Sequence, residues 1–140
     1  MVIPMWEPFV EHKSIDEILH DKGLAKVGDN LVNFCYSLAK SKVLGYLTGE
    51  KVRDSVLARA IRATDAYKFM HKRTDVGKAA DAYEALMAYL WMKNKITIPE
   101  MVETLVETLD ITSTTSRKKE GEIAAVAFQK FLQNHLDALP

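Results

Sequence analysis

From Ala79 to Met92 every residue is apolar or aromatic except Asp81 and Glu84, and no Lys, Arg or His interrupts the run. Its Ala, Leu, Met and Tyr content, free of breakers, predicts a helix over Gly77 to Met92. Apolar residues fall on nearly every side of that helix, which is the pattern of a buried one.

The rest of the chain reads as shorter amphipathic pieces around it. Residues 1 to 13 form an extended, Pro-punctuated arm whose Ile3, Met5, Trp6, Phe9 and Val10 are expected to pack on the body. Ser14 and Glu17 make a capping box for a short helix with Ile15, Ile18 and Leu19 inward. Gly23 then separates it from a longer helix, Leu24 to about Lys40, with Leu24, Val27, Leu31, Phe34, Cys35 and Leu38 at helical spacing. Residues 41 to 49 read as a loop. A third helix, about Glu50 to Ala63, turns Val52, Val56, Leu57, Ala60 and Ile61 inward and Arg53, Arg59 and Arg62 outward. Asp65 to Arg73 fits either a short helix or core packing of Tyr67, Phe69 and Met70, and Thr74 is placed to cap the central helix. Pro99 suits the first position of the next helix, which runs to about Leu109. That helix puts Val102, Leu105, Val106 and Leu109 on one side and a solvated face of Glu100, Glu103, Glu107 and Asp110 on the other. After the Thr and Ser loop 112 to 116, a last helix runs from about Arg117 to Leu136. The expectation is an all-α domain of about six or seven helices.

Composition narrows the class. An apolar share of 48% and a charged share of 27% over 140 residues suit one soluble domain with a proper core. Basic and acidic residues balance at 19 each, so no global field announces nucleic acid. Locally the balance fails: Lys51 to Lys78 holds eight bases against three acids, an excess of five just before the acidic helix. Within it, the outward Arg53, Arg59 and Arg62 of the third helix form either a solvated face or a phosphate-contacting one. One cysteine, Cys35, allows no intrachain disulfide and implies a reducing, cytoplasmic setting, and its place in the apolar stripe makes it core packing. The opening residues lack a signal-peptide pattern, and no run of 18 apolar residues would span a membrane.

The candidate chemistry lies in three carboxylates. Asp81 and Glu84 are three residues apart, hence neighbours on one arc of the helix, where like charges repel. Partly buried, they need either a basic side chain from elsewhere or a hard divalent cation. Asp29 is the single acid of the second helix, and Gly28 before it leaves room for another backbone or a ligand to approach closely. Two such helices crossing would bring Asp29, Asp81 and Glu84 together. No glycine-rich phosphate loop, CxxC pair or serine nucleophile elbow competes, and His12, His20, His71 and His135 are scattered as surface histidines would be.

These residues resemble a known family. Gly28-Asp29 in LAKVGDNLVNF resembles the ribonuclease III signature, roughly ERLEFLGDA. Ala80 to Ala85, ADAYEA, is similar to the family's second motif, AD-x-[FY]-EA. The stretch LTGEKVRDSVLARAI between them is similar to the family's helical connection, so the resemblance covers about Leu24 to Ile98. Ala25 stands where the signature has a Glu, and Lys26 where it has an aromatic of the dimer contact. The Mini-ribonuclease III branch, with ALAYIGDA, also lacks that Glu. No double-stranded-RNA-binding domain is expected after the last two helices, again similar to the stand-alone branch.

The resemblance implies one nuclease domain over 1–140, with its motif-bearing core at about 24–98 and extra C-terminal helices at about 99–136. It implies that Asp29, Asp81 and Glu84 bind Mg²⁺ or Mn²⁺ and carry the catalysis of an endoribonuclease on double-stranded or structured RNA, working as a homodimer. The basic stretch then gains an RNA-binding role for Arg53, Arg59, Arg62, Lys72, Arg73 and Lys78, since A-form RNA is read by shape and backbone. Glu50 is the nearest candidate for the family's outer acid. Two other readings remain: an RNA-binding dimer of the same fold made weak or inactive by Ala25, and a helical interaction scaffold whose Asp81 and Glu84 pair with bases of the third helix.

Overall fold

In the computed structural model, which describes residues 5–140, the central helix is surrounded as its composition requires. Six α-helices follow in order: α1 Ile15–Leu19, α2 Lys22–Leu44, α3 Asp54–Arg62, α4 Val76–Met92, α5 Ile98–Thr108 and α6 Arg117–Gln133. Three short 3-10 turns, Glu7–Phe9, Asp65–Phe69 and Leu136–Ala138, complete the described residues, which contain no strand.

Helix α4 is the core element. Helices α1, α2 and α3 pack against it, α3 and α5 rest on α6, and α5 also meets α2. Ala79, Ala80, Ala82, Ala85 and Ala88 are buried and let those helices come close, while Tyr83, Leu86, Met87 and Leu90 fill the spaces between. Each of these large side chains contributes about 1.5–3 kcal/mol by leaving water. Tyr83, wholly buried, donates its hydroxyl to the Phe128 carbonyl at 2.7 Å, tying α4 to α6. The cap is Asp75, whose carboxylate accepts the Lys78 N–H at 2.8 Å. Thr74, expected in that role, donates its hydroxyl to the His71 carbonyl instead.

Helix α2 is longer than its pattern predicts. Asp21 caps it by accepting the Leu24 N–H at 3.0 Å, so Gly23 falls inside its first turn and does not separate helices. At the other end it runs on to Leu44 and stops at Gly45, whose φ of 85° only glycine adopts readily. Its buried face also differs from the expected stripe. Leu24 and Cys35 are buried, together with Ala25, Gly28, Val32, Tyr36 and Ala39, but Val27 and Phe34 are 41% and 54% exposed. A close crossing with alanine-rich α4 selects small residues, which turns the larger apolar ones outward.

Helix α3 starts at Asp54 and not Glu50, because side chains of α2 hold the backbone of the preceding segment. Ser37 Oγ accepts the Glu50 N–H at 3.0 Å and Asn33 Oδ1 accepts the Val52 N–H at 2.7 Å. The five inward residues of this segment are all buried as expected. Thr97 caps α5, with Ile98 first and Pro99 second in the helix. Helix α6 ends three residues early, at Gln133. In the N-terminal arm Val10 is buried and Trp6 lies against Trp91, whereas Met5 and Phe9 are exposed; Ile3 lies outside the described residues.

Candidate functional site

Helices α2 and α4 touch backbone to backbone at one point. A Cβ on Gly28 would overlap the carbonyl group of Glu84 and stand 2.9 Å from its Cα. This crossing sets Asp29, the next residue on α2, beside Glu84 on α4. Asn33 fixes Asp29 further, donating Nδ2–H to Oδ1 at 3.2 Å while its own carbonyl holds Val52. Asp29 is half-buried, Asp81 is exposed, and Glu84 is 4% exposed. The two acids of α4 therefore differ in setting even though they share one arc.

Electrostatics show that the three carboxyls share a field. Burial, hydrogen bonding with Asp29, and the charges of Asp29, Asp81 and Asp54 push Glu84 up to about 9. Partial burial, then the charge of Asp54, raises Asp81 from its ordinary value; Asp29 and Asp75 add to this, and Lys22 works against it. Among the described residues no Lys, Arg or His stands within salt-bridge range of Asp29, Asp81 or Glu84. The pairing of Asp81 and Glu84 with bases of α3 is thus not what the fold contains. Their donor set is all oxygen, which suits a hard divalent ion. Among the described residues no three such donors stand at ligating spacing.

Asp54 is the acid that sequence reasoning missed. It opens α3, and its charge acts on both Asp81 and Glu84. Its position was concealed by the basic stretch around it, and only the packing of α3 on α4 shows it. Glu50, the candidate outer acid, is committed elsewhere. It pairs with Lys40, which also binds Glu120 at 3.0 Å, and Glu120 accepts the Tyr36 hydroxyl at 2.6 Å.

The six bases of the expected RNA face divide in two. Arg53 donates to the carbonyl of Arg117, the first residue of α6, at 3.0 Å and Arg62 to the Thr74 carbonyl in the segment before α4 at 2.9 Å, so both are engaged within the fold. Arg59, Lys72, Arg73 and Lys78 are exposed, and Arg73 and Lys78 share the lining of a cavity with Asp81. The histidines are not all at the surface. His12 and His135 are half-buried against Asp21 and Glu100, both at 2.8 Å or less, while His20 and His71 are exposed.

No curated protein matches this chain. The family model described as Ribonuclease III matches residues 22–139, from the first residue of α2 to the turn after α6, and so takes in Asp29, Asp54, Asp81 and Glu84. The chain, all-helical and with both carboxylate-bearing helices inside the match, belongs to the ribonuclease III family.

Proposed function

We propose that the protein is a divalent-metal-dependent endoribonuclease that cuts double-stranded or structured RNA as a homodimer. The observation that carries the reading is the closeness of Asp29 to buried Glu84 at the Gly28 crossing, with the charge of Asp81 acting on Glu84 and no protein cation in salt-bridge range among the described residues. A buried carboxyl held beside two others is costly unless a cation or a proton offsets it. Asp29, Asp81 and Glu84 would hold Mg²⁺ or Mn²⁺, and Asp54 would add charge from the outside. When bound, such an ion lowers the pKa of a water for attack on phosphorus and neutralises charge on the leaving oxygen. The chain's own part is to fix Asp29 through Asn33, to keep Glu84 away from bulk water, and to present Arg59, Lys72, Arg73 and Lys78 to the RNA backbone.

Dimerisation is supported by the outward stripe of α2. Val27 and Phe34 are exposed, and Leu31 and Leu38 half-buried, at the spacing of one helix face. A second copy covering this stripe would set two cutting centres on one duplex. The RNA-binding reading without catalysis is favoured by one observation, Ala25, which gives the site no fourth ligand from α2.

The deciding experiment incubates long double-stranded RNA with the protein in Mg²⁺, Mn²⁺ or chelator, beside the Asp29→Asn and Asp81→Asn variants. Cutting that needs the ion and falls at least about a thousandfold in both variants supports the nuclease. Ion uptake with RNA binding but no cutting supports the binding dimer, and no ion uptake rejects both.

A further inference from the structure

The cavity beside Asp81 has a volume of about 630 Å³ and lies where the α1–α2 corner, the segment before α4 and the first turns of α4 meet. Its lining is of two kinds, which differ in burial. Leu19, Ala25, Met70 and Ala82 are apolar, while His20, Lys22, His71, Arg73 and Lys78 are basic and exposed. Two acids also line it, and one is already engaged: Asp21 accepts the Leu24 N–H through one oxygen and meets His12 Nε2 through the other, at 3.0 and 2.8 Å. The second is Asp81, which joins the cavity to the carboxylate cluster.

We infer that this cavity receives one unpaired nucleotide of the RNA strand next to the cutting centre, its base on the apolar residues and its phosphate on Lys22, Arg73 and Lys78. The inference rests on the nuclease reading and names a substrate feature for it. The volume falls in the range of sites for small organic ligands, about 300–1,000 Å³. A nucleotide has an apolar face and an anionic end, which match the two kinds of lining. Bases in a continuous helix are stacked and cannot turn into a side cavity, so the occupant has to come from a bulge, a mismatch or a strand end. Ala25 matters here because, buried and uncharged, it adds to the apolar part of the wall.

The test uses the full chain in chelator, so that binding is read without cutting. Uridine 5′-monophosphate and inorganic phosphate are titrated by calorimetry into the wild type and into Lys22→Glu and Arg73→Glu. Both side chains are exposed, and Glu at the first position of α2 suits a helix N-terminus, so these variants should melt within a few degrees of the wild type. The expected result is nucleotide binding at least tenfold tighter than phosphate, weakened tenfold or more in each variant. Equal binding of nucleotide and phosphate, or indifference to the variants, would overturn the proposal. A second arm compares a perfect duplex with one carrying a single bulged nucleotide. A preference of fivefold or more for the bulge, lost in the variants, supports the cavity; equal affinity rejects it. The two readings fail separately: nucleotide binding without metal-dependent cutting rejects the nuclease alone, and cutting without nucleotide binding rejects the cavity alone.

Discussion

Gly28 and Glu84 meet backbone to backbone, so closely that a Cβ on Gly28 would stand 2.9 Å from the Glu84 Cα and overlap its carbonyl. The neighbouring atoms are backbone, not the yielding end of a side chain, so the helices themselves would have to part. Gly28→Ala is expected to destabilise the fold by at least about 2–3 kcal/mol, the range for overpacking a well-filled core. Urea melts followed by circular dichroism check this. A loss below about 1 kcal/mol would show that the crossing relaxes, and that its tightness does not hold Asp29 against Glu84.

Phe34 faces outward from α2 next to Val27 and Leu31, and the dimer reading requires this stripe to be covered. Burying one Phe contributes about 1.5–3 kcal/mol, and a symmetric interface counts it twice. Phe34→Glu should therefore weaken self-association by at least about a hundredfold and give a monomer in light scattering at micromolar concentration, with helicity unchanged. A monomeric wild type, or a variant that stays dimeric, would remove the stripe from the interface.

Lys40 stands between Glu50 and Glu120, with the Tyr36 hydroxyl on the second acid, all of it partly buried. Those contacts raise Lys40 and lower Glu120 from their usual ranges, despite burial acting the other way on both. Lys40→Met leaves two carboxylates facing each other and is expected to cost about 2–4 kcal/mol. Since Glu120 is depressed in the folded chain, its contribution is complete above the usual carboxylate range and is lost progressively as pH falls below that range through the lowered folded value. Denaturant melts at pH 7 and pH 3.5 should show the wild type and Lys40→Met converging at the lower pH.

Much of this could be read before the fold was known, and the parts that could not have a common cause. The burial of α4, the inward residues of α3 and the need for room at Gly28 follow from periodicity and residue size, which are local properties. The outward turn of Phe34 and Val27 depends on α4 being alanine-rich where α2 crosses it, a fact of another segment. Asp54 shows the same limit: within its own stretch it is one acid among many bases, and only packing sets its charge beside Asp81 and Glu84. Helix ends moved where side chains claimed backbone groups, as Asn33 and Ser37 do with Val52 and Glu50. The grouping of Asp29 with the α4 acids was an expectation from two acid-bearing helices crossing, whereas the cavity lined by Lys22, Arg73 and Ala25 joins three segments and has no linear signature.

Glu84 gives the sharpest dependence on pH. In an unfolded chain it ionises near 4.5, and in the folded, metal-free chain near 9. Below about 4.5 both states hold the proton and the group contributes nothing to the difference. Between the two values the folded state holds one proton more, so stability falls as pH rises, by up to about 1.4 kcal/mol per pH unit from this group alone, and levels off above about 9. Glu84→Gln keeps the shape without the titration. Melts in chelator from pH 5.5 to 8.5 should therefore slope downward for the wild type relative to the variant, and the two lines should cross or diverge, not run parallel. A divalent ion needs the ionised carboxylate, so Mn²⁺ should stabilise the wild type more at pH 8.5 than at pH 5.5, with protons released on binding, and should leave Glu84→Gln with little of that pH dependence. Parallel lines in chelator would show Glu84 ionised in the folded chain, which would require a cation from the protein itself in its surroundings.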